Sequence, residues 1–186
     1  RTHLERALAD APWARHGLHP NAYALVTLHR PSNVDDDAVA GVVARGLAAI
    51  AAQMPVLFPM HPRTRKRTGP VFESVDGLRI VEPLGYLEFL GLMARARVVV
   101  TDSGGVQEET TALGVPCVTI RPNTERPITI DDGTNTLVDV VDAAAIANAA
   151  LAPPKSGHVP SLWDGKAAQR VADVIAAFID DAGARR

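Results

Sequence analysis

A chain of 186 residues, 47% hydrophobic and 22% charged, is long enough for one well-formed core and has the make-up of a soluble globular domain. Its net charge of −2 lacks the basic excess of a general nucleic-acid binder, and no apolar run reaches bilayer length, so neither nucleic acid nor membrane is an expected partner. The lone Cys117 excludes an internal disulfide and a cysteine-type metal site, and it fits a reducing, cytoplasmic setting.

No charged-then-apolar leader is legible in residues 1–20, which read as an amino-terminal extension or linker; a start on Arg1 in place of Met leads us to expect a domain of a longer protein. Ala22–Leu28 (AYALVTL) reads as a buried strand. Asn33 is a reasonable helix N-cap, followed by Asp35, Asp36 and Asp37 in a first turn where acids meet the positive end of the macrodipole. Val39, Val42, Val43, Leu47 and Ile50 then recur at helical spacing.

Pro55–Met60 and Leu78–Val81 are the next strands, and Tyr86–Ala96 is a helix with Leu87, Leu90, Met93 and Ala94 along one side. Arg97–Thr101 is a fourth strand, Gly105–Leu113 its helix, Pro116–Ile120 a fifth strand and Thr134–Val138 a short one. A helix at Ala143–Leu151 is broken by Pro-Pro-Lys-Ser-Gly at 153–157. The closing segment 158–186 holds a last helix, Lys166–Phe178, whose Ala168, Val171, Ile175 and Phe178 share a face expected to pack on the body. Apolar strand runs alternating with helices predict one α/β, Rossmann-like domain over residues 1–186: a mostly parallel sheet with helices on both faces.

In such a sheet, ligands bind beyond the carboxyl ends of the strands. The residues there are His29 and Arg30 after the first strand, and His61, Arg63 and Arg65 after the second. Asp102 to Gly105 follow the fourth strand, and Arg121, Glu125 and Arg126 the fifth. Taken singly, each has a bland reading: a structural histidine, a solvated turn at Arg63–Arg67, an N-cap at Ser103. Together they place imidazoles and guanidiniums at one edge and predict an anion site, most simply for phosphate.

The junction TDSGGVQEE, residues 101–109, sharpens this. Two glycines let a ligand approach the backbone and leave N–H groups pointing outward from a helix start. The motif is neither a Walker loop nor G-x-G-x-x-G, and as a bare motif it is weak. Glu109, four residues after Gly105, shares the face on which the helix opens. An acceptor-only carboxylate one turn (about 5 Å) in suits a neutral diol. Phosphate at the turn and diol at the glutamate is the layout of a nucleotide, whereas Glu108 reads as a mere complement to the helix dipole.

TDSGGVQEE, TTALGVPCVTIRPNTERP and DDGTNTLV together resemble the carboxyl half of the non-hydrolysing UDP-N-acetylglucosamine 2-epimerases. TLHRPSNVD, MHPRTR, PLGYLEFLGLM and LWDGKAAQRV fit the same pattern, so the resemblance runs from about Ala22 to Phe178. It implies one half of a GT-B arrangement, with the active site in a cleft shared with an amino-terminal domain absent from this chain, in a full-length homodimer. It implies that Ser103, Gly104 and Gly105 hold the diphosphate, Glu109 the ribose, and that Phe89 and Arg126 belong to the nucleotide pocket.

By the same resemblance His29 is the histidine needed for activity, and His61 a contact for a second, regulatory UDP-GlcNAc. The implied ligands are UDP-GlcNAc and UDP, the reaction UDP elimination and re-addition at C2, and neither metal nor cofactor is called for. Two positions depart from the family: Ser32 stands where many members carry glutamate, and Leu84 where some present a polar side chain to the base. A hydrolysing epimerase, a GT-B glycosyltransferase domain and a stand-alone UDP-binding module remain the alternatives.

Overall fold

The structure, a computed structural model, describes residues 3–139 and 142–184, with the side chains of the last helix through Ile179. Two short helices, α1 (Leu4–Ala9) and α2 (Pro12–Arg15), precede β1 (Ala24–Thr27). Then follow α3 (Pro31–Val34), α4 (Asp37–Ala51), β2 (Val56–Pro59), α5 (Pro62–Glu73), β3 (Leu78–Val81), α6 (Tyr86–Ala94) and β4 (Val98–Thr101). The chain continues through α7 (Gly104–Leu113), β5 (Cys117–Ile120), α8 (Ile128–Asp131), β6 (Asn135–Val138), α9 (Ala143–Leu151) and α10 (Ala167–Ala184).

The six strands form one sheet in the order β3-β2-β1-β4-β5-β6, and every pairing is parallel. Strand alternation sends side chains into two cores. Ala24, Val26, Phe58, Val98, Val100 and Val118 face α4 and α9, whereas Leu25, Leu57 and Val99 face α6 and the Val106 end of α7. The fold is therefore α/β and Rossmann-like, covered on both faces.

Four features differ from the sequence expectation. Residues 4–15, read as extension or linker, fold onto the domain: Ala7 and the following Leu18 are each only 3% exposed, in the core shared with α6. The Arg-rich stretch read as a turn is the helix α5. Its inward stripe is Thr64, Thr68, Gly69 and Phe72, and the two threonine hydroxyls donate to the Leu28 and Val34 carbonyls. A stripe with threonines at its centre does not register as apolar periodicity.

The N-cap of α4 is Asp36, whose carboxylate accepts from the Ala38 and Val39 amides, because Asn33 is drawn inward to another task. Finally, α10 does not pack on the body: every described side chain from Val171 to Ile179 is exposed. Among the described residues, no helix is long and apolar enough to cross a membrane.

Candidate functional site

The strand order reverses its direction of growth between β1 and β4, the point at which a doubly wound sheet opens a crevice at its carboxyl edge. His29 and Arg30 leave β1 at this point, and Asp102 to Gly105 leave β4. Asp102, fully buried, joins the two loops. Its carboxylate accepts from the His29 amide at 3.1 and 3.2 Å, from the Arg30 amide at 2.9 Å and from Asn33 Nδ2 at 3.2 Å. Its carbonyl accepts from Arg30 Nε at 2.8 Å.

The same carboxylate lies 3.1 Å from His29 Nδ1. That hydrogen bond raises the His29 pKa above its usual 6.5, with burial and Arg30 opposing. It also fixes the proton on Nδ1, so Nε2 is the nitrogen left to meet a ligand.

Ser103 stands at the N-cap of α7 but its hydroxyl caps nothing; its amide donates to the Thr101 hydroxyl at 3.0 Å. The first intrahelical bond runs from the Gln107 amide to the Ser103 carbonyl, so the amides of Gly104, Gly105 and Val106 have no partner within the helix. The two glycines differ in kind. A Cβ on Gly104 would sit 2.5 Å from an Arg126 guanidinium nitrogen, because that group lies flat against the turn. A Cβ on Gly105 would meet nothing nearer than the Ser103 hydroxyl at 4.0 Å. The protein itself gives no steric reason for glycine at 105; the space is open toward solvent.

Around the turn, charge is organised by Glu125. It binds the buried Arg121 through two hydrogen bonds of 2.8 and 2.9 Å, and lies 3.5 Å from Arg126 and 3.9 Å from Arg30. The Arg121 hydrogen bonds hold the Glu125 carboxyl down to about 2 and raise Arg121 further. Arg126 Nε also lies 3.1 Å from Glu108, at an angle that makes it an ion pair without a hydrogen bond. Glu108 is thus a partner of Arg126, beyond the first turn of the helix.

Glu109 is half-buried one turn into α7 and accepts from the Tyr86 hydroxyl at 3.4 Å. Burial raises its pKa above 4.5, and the tyrosine works in the opposite direction. Phe89, one turn after Tyr86 on α6, is half-buried against the core that contains Val106. His61 is elsewhere: it caps α5, accepting from the Arg63 amide at 3.2 Å, and no described contact joins it to the Ser103 turn. Ser32 is exposed and reaches only Asn33. A separate groove of about 690 Å³ between α4 and α5, lined by Ala44, Ala48, Val71 and their neighbours, contains none of these residues.

Sequence reasoning had no role for Asp102, Tyr86, Gln107 or Asn135. Only the acid at 102, placed directly after a strand, carried a signal. The arrangement as a whole offers helix-terminal amides, guanidiniums and an imidazole to an anion, with an acceptor carboxylate beside it.

Comparison with known proteins places the chain in a family. The family described as UDP-N-acetylglucosamine 2-epimerase matches residues 2–176. A UDP-N-acetylglucosamine 2-epimerase of Methanocaldococcus jannaschii is 38% identical over 161 residues, covering 82% of this chain and 44% of the relative. One from Methanococcus maripaludis is 43% identical over 122 residues, covering 62% of this chain and 33% of the relative. The crystal structure of the M. jannaschii UDP-GlcNAc 2-epimerase in complex with UDP-GlcNAc and UDP superposes with a TM-score of 0.79 at 34% identity, over 95% of this chain and 51% of that one. The chain therefore spans about half the length, or less, of the relatives it matches.

Proposed function

The chain belongs to the UDP-N-acetylglucosamine 2-epimerase family, and on that premise we propose that it is the carboxyl-terminal, UDP-holding half of an enzyme that inverts C2 of UDP-GlcNAc to give UDP-ManNAc. The observation that carries this reading is the open amino end of α7 at the β1/β4 switch point, with Arg126 laid against Gly104 and the Asp102-held His29 beside it. In this assignment the diphosphate takes the space over Gly105, on the free amides of Gly104, Gly105 and Val106 and the hydroxyl of Ser103. Glu109, oriented by Tyr86, accepts from the ribose hydroxyls. Phe89 lies on the α6 side of the pocket, toward the base.

The chemistry such a grip serves is loss and return of UDP. A base removes the C2 proton, the C1–O bond breaks with its electrons going to the diphosphate, and 2-acetamidoglucal is left. Re-protonation of C2 on the other face and attack of UDP at C1 completes the inversion. Charge grows on the leaving diphosphate as the C1–O bond lengthens, so fixed amides and guanidiniums stabilise the transition state more than the ground state. Protonated His29 adds a cation there, with Nε2 as the proton it can give or take back.

The acid–base groups at C2 belong to the half that this chain lacks, so the 186 residues alone bind UDP without epimerising. The bare apolar face of α10 supports that division: Val171, Val174, Ile175, Phe178 and Ile179 are each more than half exposed on a helix that the body does not cover. By the family resemblance, His61 would serve a second, regulatory nucleotide sugar.

Calorimetric titration of this chain with UDP, UMP and uridine tests the reading. UDP should bind more tightly than uridine, and Glu109→Ala should weaken UDP by about 1–3 kcal/mol through lost ribose hydrogen bonds. Absence of UDP binding at millimolar concentration would remove the nucleotide role, and an unchanged affinity in Glu109→Ala would remove the ribose assignment.

A further inference from the structure

Behind the cradle lies a closed circuit of polar side chains. Gln107 sits one turn into α7 and is fully buried. Its Oε1 accepts from the Thr124 hydroxyl at 2.7 Å and from Asn135 Nδ2 at 3.3 Å. Thr124 in turn accepts from the Arg126 amide at 3.1 Å, and the Thr129 hydroxyl donates to the Arg126 carbonyl at 2.8 Å. Asn135 closes the loop: its second amide hydrogen goes to Thr129 at 3.2 Å, and its Oδ1 accepts from Thr119 on β5 at 2.7 Å.

The Arg126 amide and carbonyl are both engaged by threonine hydroxyls, which are in turn held by the Gln107 and Asn135 side-chain amides. Both peptide groups of Arg126 are thus held, through one amide pair, to α7, β5 and β6. Those are the rigid elements that carry the Ser103 turn and the sheet edge.

This matters because Arg126 has little freedom at its other end. Its guanidinium rests so close to Gly104 that a methyl group there would collide with it. Gln107 is also an expensive way to fill the core. Its Nε2 is buried with no partner among the described residues, a desolvation cost that a leucine of similar size would not carry. The amide is explained by what its oxygen organises.

We propose that Gln107 and Asn135 are positioning residues that set the Arg126 guanidinium against Gly104, so that the anion cradle is formed before the nucleotide arrives. The inference rests on the proposed UDP role of this site. Preorganisation of this kind strengthens binding by removing the ordering cost of a long side chain. It acts only on the part of the ligand that Arg126 touches, the diphosphate.

The experiment is a set of UDP and uridine titrations on the 186-residue chain, with melting curves in parallel. The variants are Gln107→Leu, Thr124→Val, Thr124→Ser, Arg126→Ala and the double variant Thr124→Val/Arg126→Ala. Thr124 is only half-buried, so Thr124→Val keeps the test alive if Gln107→Leu fails to fold. Gln107→Leu and Thr124→Val should each weaken UDP about tenfold, the worth of one to two hydrogen bonds. Uridine affinity should be unchanged, and Thr124→Ser should bind UDP as the wild type does.

On the Arg126→Ala background, Thr124→Val should cost nothing more. An equal loss on that background, or an equal loss for uridine, would mean a general structural role and overturn the inference. So would wild-type UDP affinity in Thr124→Val. A wild-type chain that binds neither UDP nor uridine would instead overturn the proposed function, and the inference with it.

Discussion

His29 owes its raised pKa to a partner 73 residues along the chain. The buried Asp102 carboxylate raises its pKa by a direct hydrogen bond. Because the folded-state value lies above the ordinary 6.5, the protonated ring stabilises the fold fully below that pH, and the contribution disappears as pH rises through the raised value. The side chain is 48% exposed, so solvent screening keeps this contribution small. Two consequences are measurable. The melting-temperature gap between wild type and His29→Gln should shrink as pH goes from about 6 to about 8. The ratio of wild-type to His29→Gln affinity for UDP should fall over the same window, the ionisation of the nucleotide's own terminal phosphate cancelling in the ratio; parallel pH profiles would remove His29 from the diphosphate site. Motif spacing made the placement of His29 and of Ser103 to Gly105 legible, since each sits within a few residues of a strand end, and Glu109 followed from its place one turn into the next helix. Asp102 and Gln107 were not legible in their roles. Their partners lie 69–73 and 17–28 residues away, and a glutamine inside a helix looks like a solvated one until its neighbours are known.

Among the elements, the strands were the easiest to read, because buried parallel strands are continuous apolar runs. Helix α5 was hidden by its arginines, by Gly69-Pro70 near its end, and by threonines that reach the core only because their hydroxyls find the Leu28 and Val34 carbonyls. The α1–α2 pair was hidden for another reason: a short helix shows little periodicity, and what holds this pair is the shape of α6. A Cβ on Gly91 would lie 2.3 Å from the Ala7 carbonyl oxygen and 2.7 Å from Pro12 Cγ. The glycine is what lets α6 take the two helices at backbone contact. Gly91→Ala should therefore destabilise the chain by about 1–3 kcal/mol despite alanine's better helix propensity, since backbone cannot yield as a side-chain tip does. Gly41→Ala, on α4, is the matched control: its Cβ meets only an Arg45 side-chain nitrogen at 3.6 Å. There the propensity gain should appear undiluted, stabilising by about 0.5–1 kcal/mol. Denaturant titration of both variants checks the pair, and equal shifts would refute the docking role of Gly91.

For the whole molecule, α10 is the element whose pattern and placement disagree. Val171, Val174, Ile175, Phe178 and Ile179 follow the three-and-four spacing of a helix meant to bury one face, and their exposures of 53–74% leave that face bare. Sequence periodicity shows that such a face needs cover and is silent about what supplies it; packing on the body was the wrong inference for that reason. The body has no use for it, since both sheet faces are already closed by α4 and α9 on one side and by α1, α2, α6 and α7 on the other. In the proposed two-domain enzyme the remaining half supplies the cover. Among the described residues of this chain nothing does, and a contiguous apolar stripe in water drives association. This chain should therefore self-associate with rising concentration in sedimentation velocity, and Ile175→Ser with Phe178→Ser should return it to monomer. The same pair of substitutions should leave the melting temperature of the domain where it was, because neither side chain supports the core. A lowered melting temperature would mean that α10 does pack on the body in solution, and a wild-type chain that stays monomeric at high concentration would mean that its face is covered by some other part of itself.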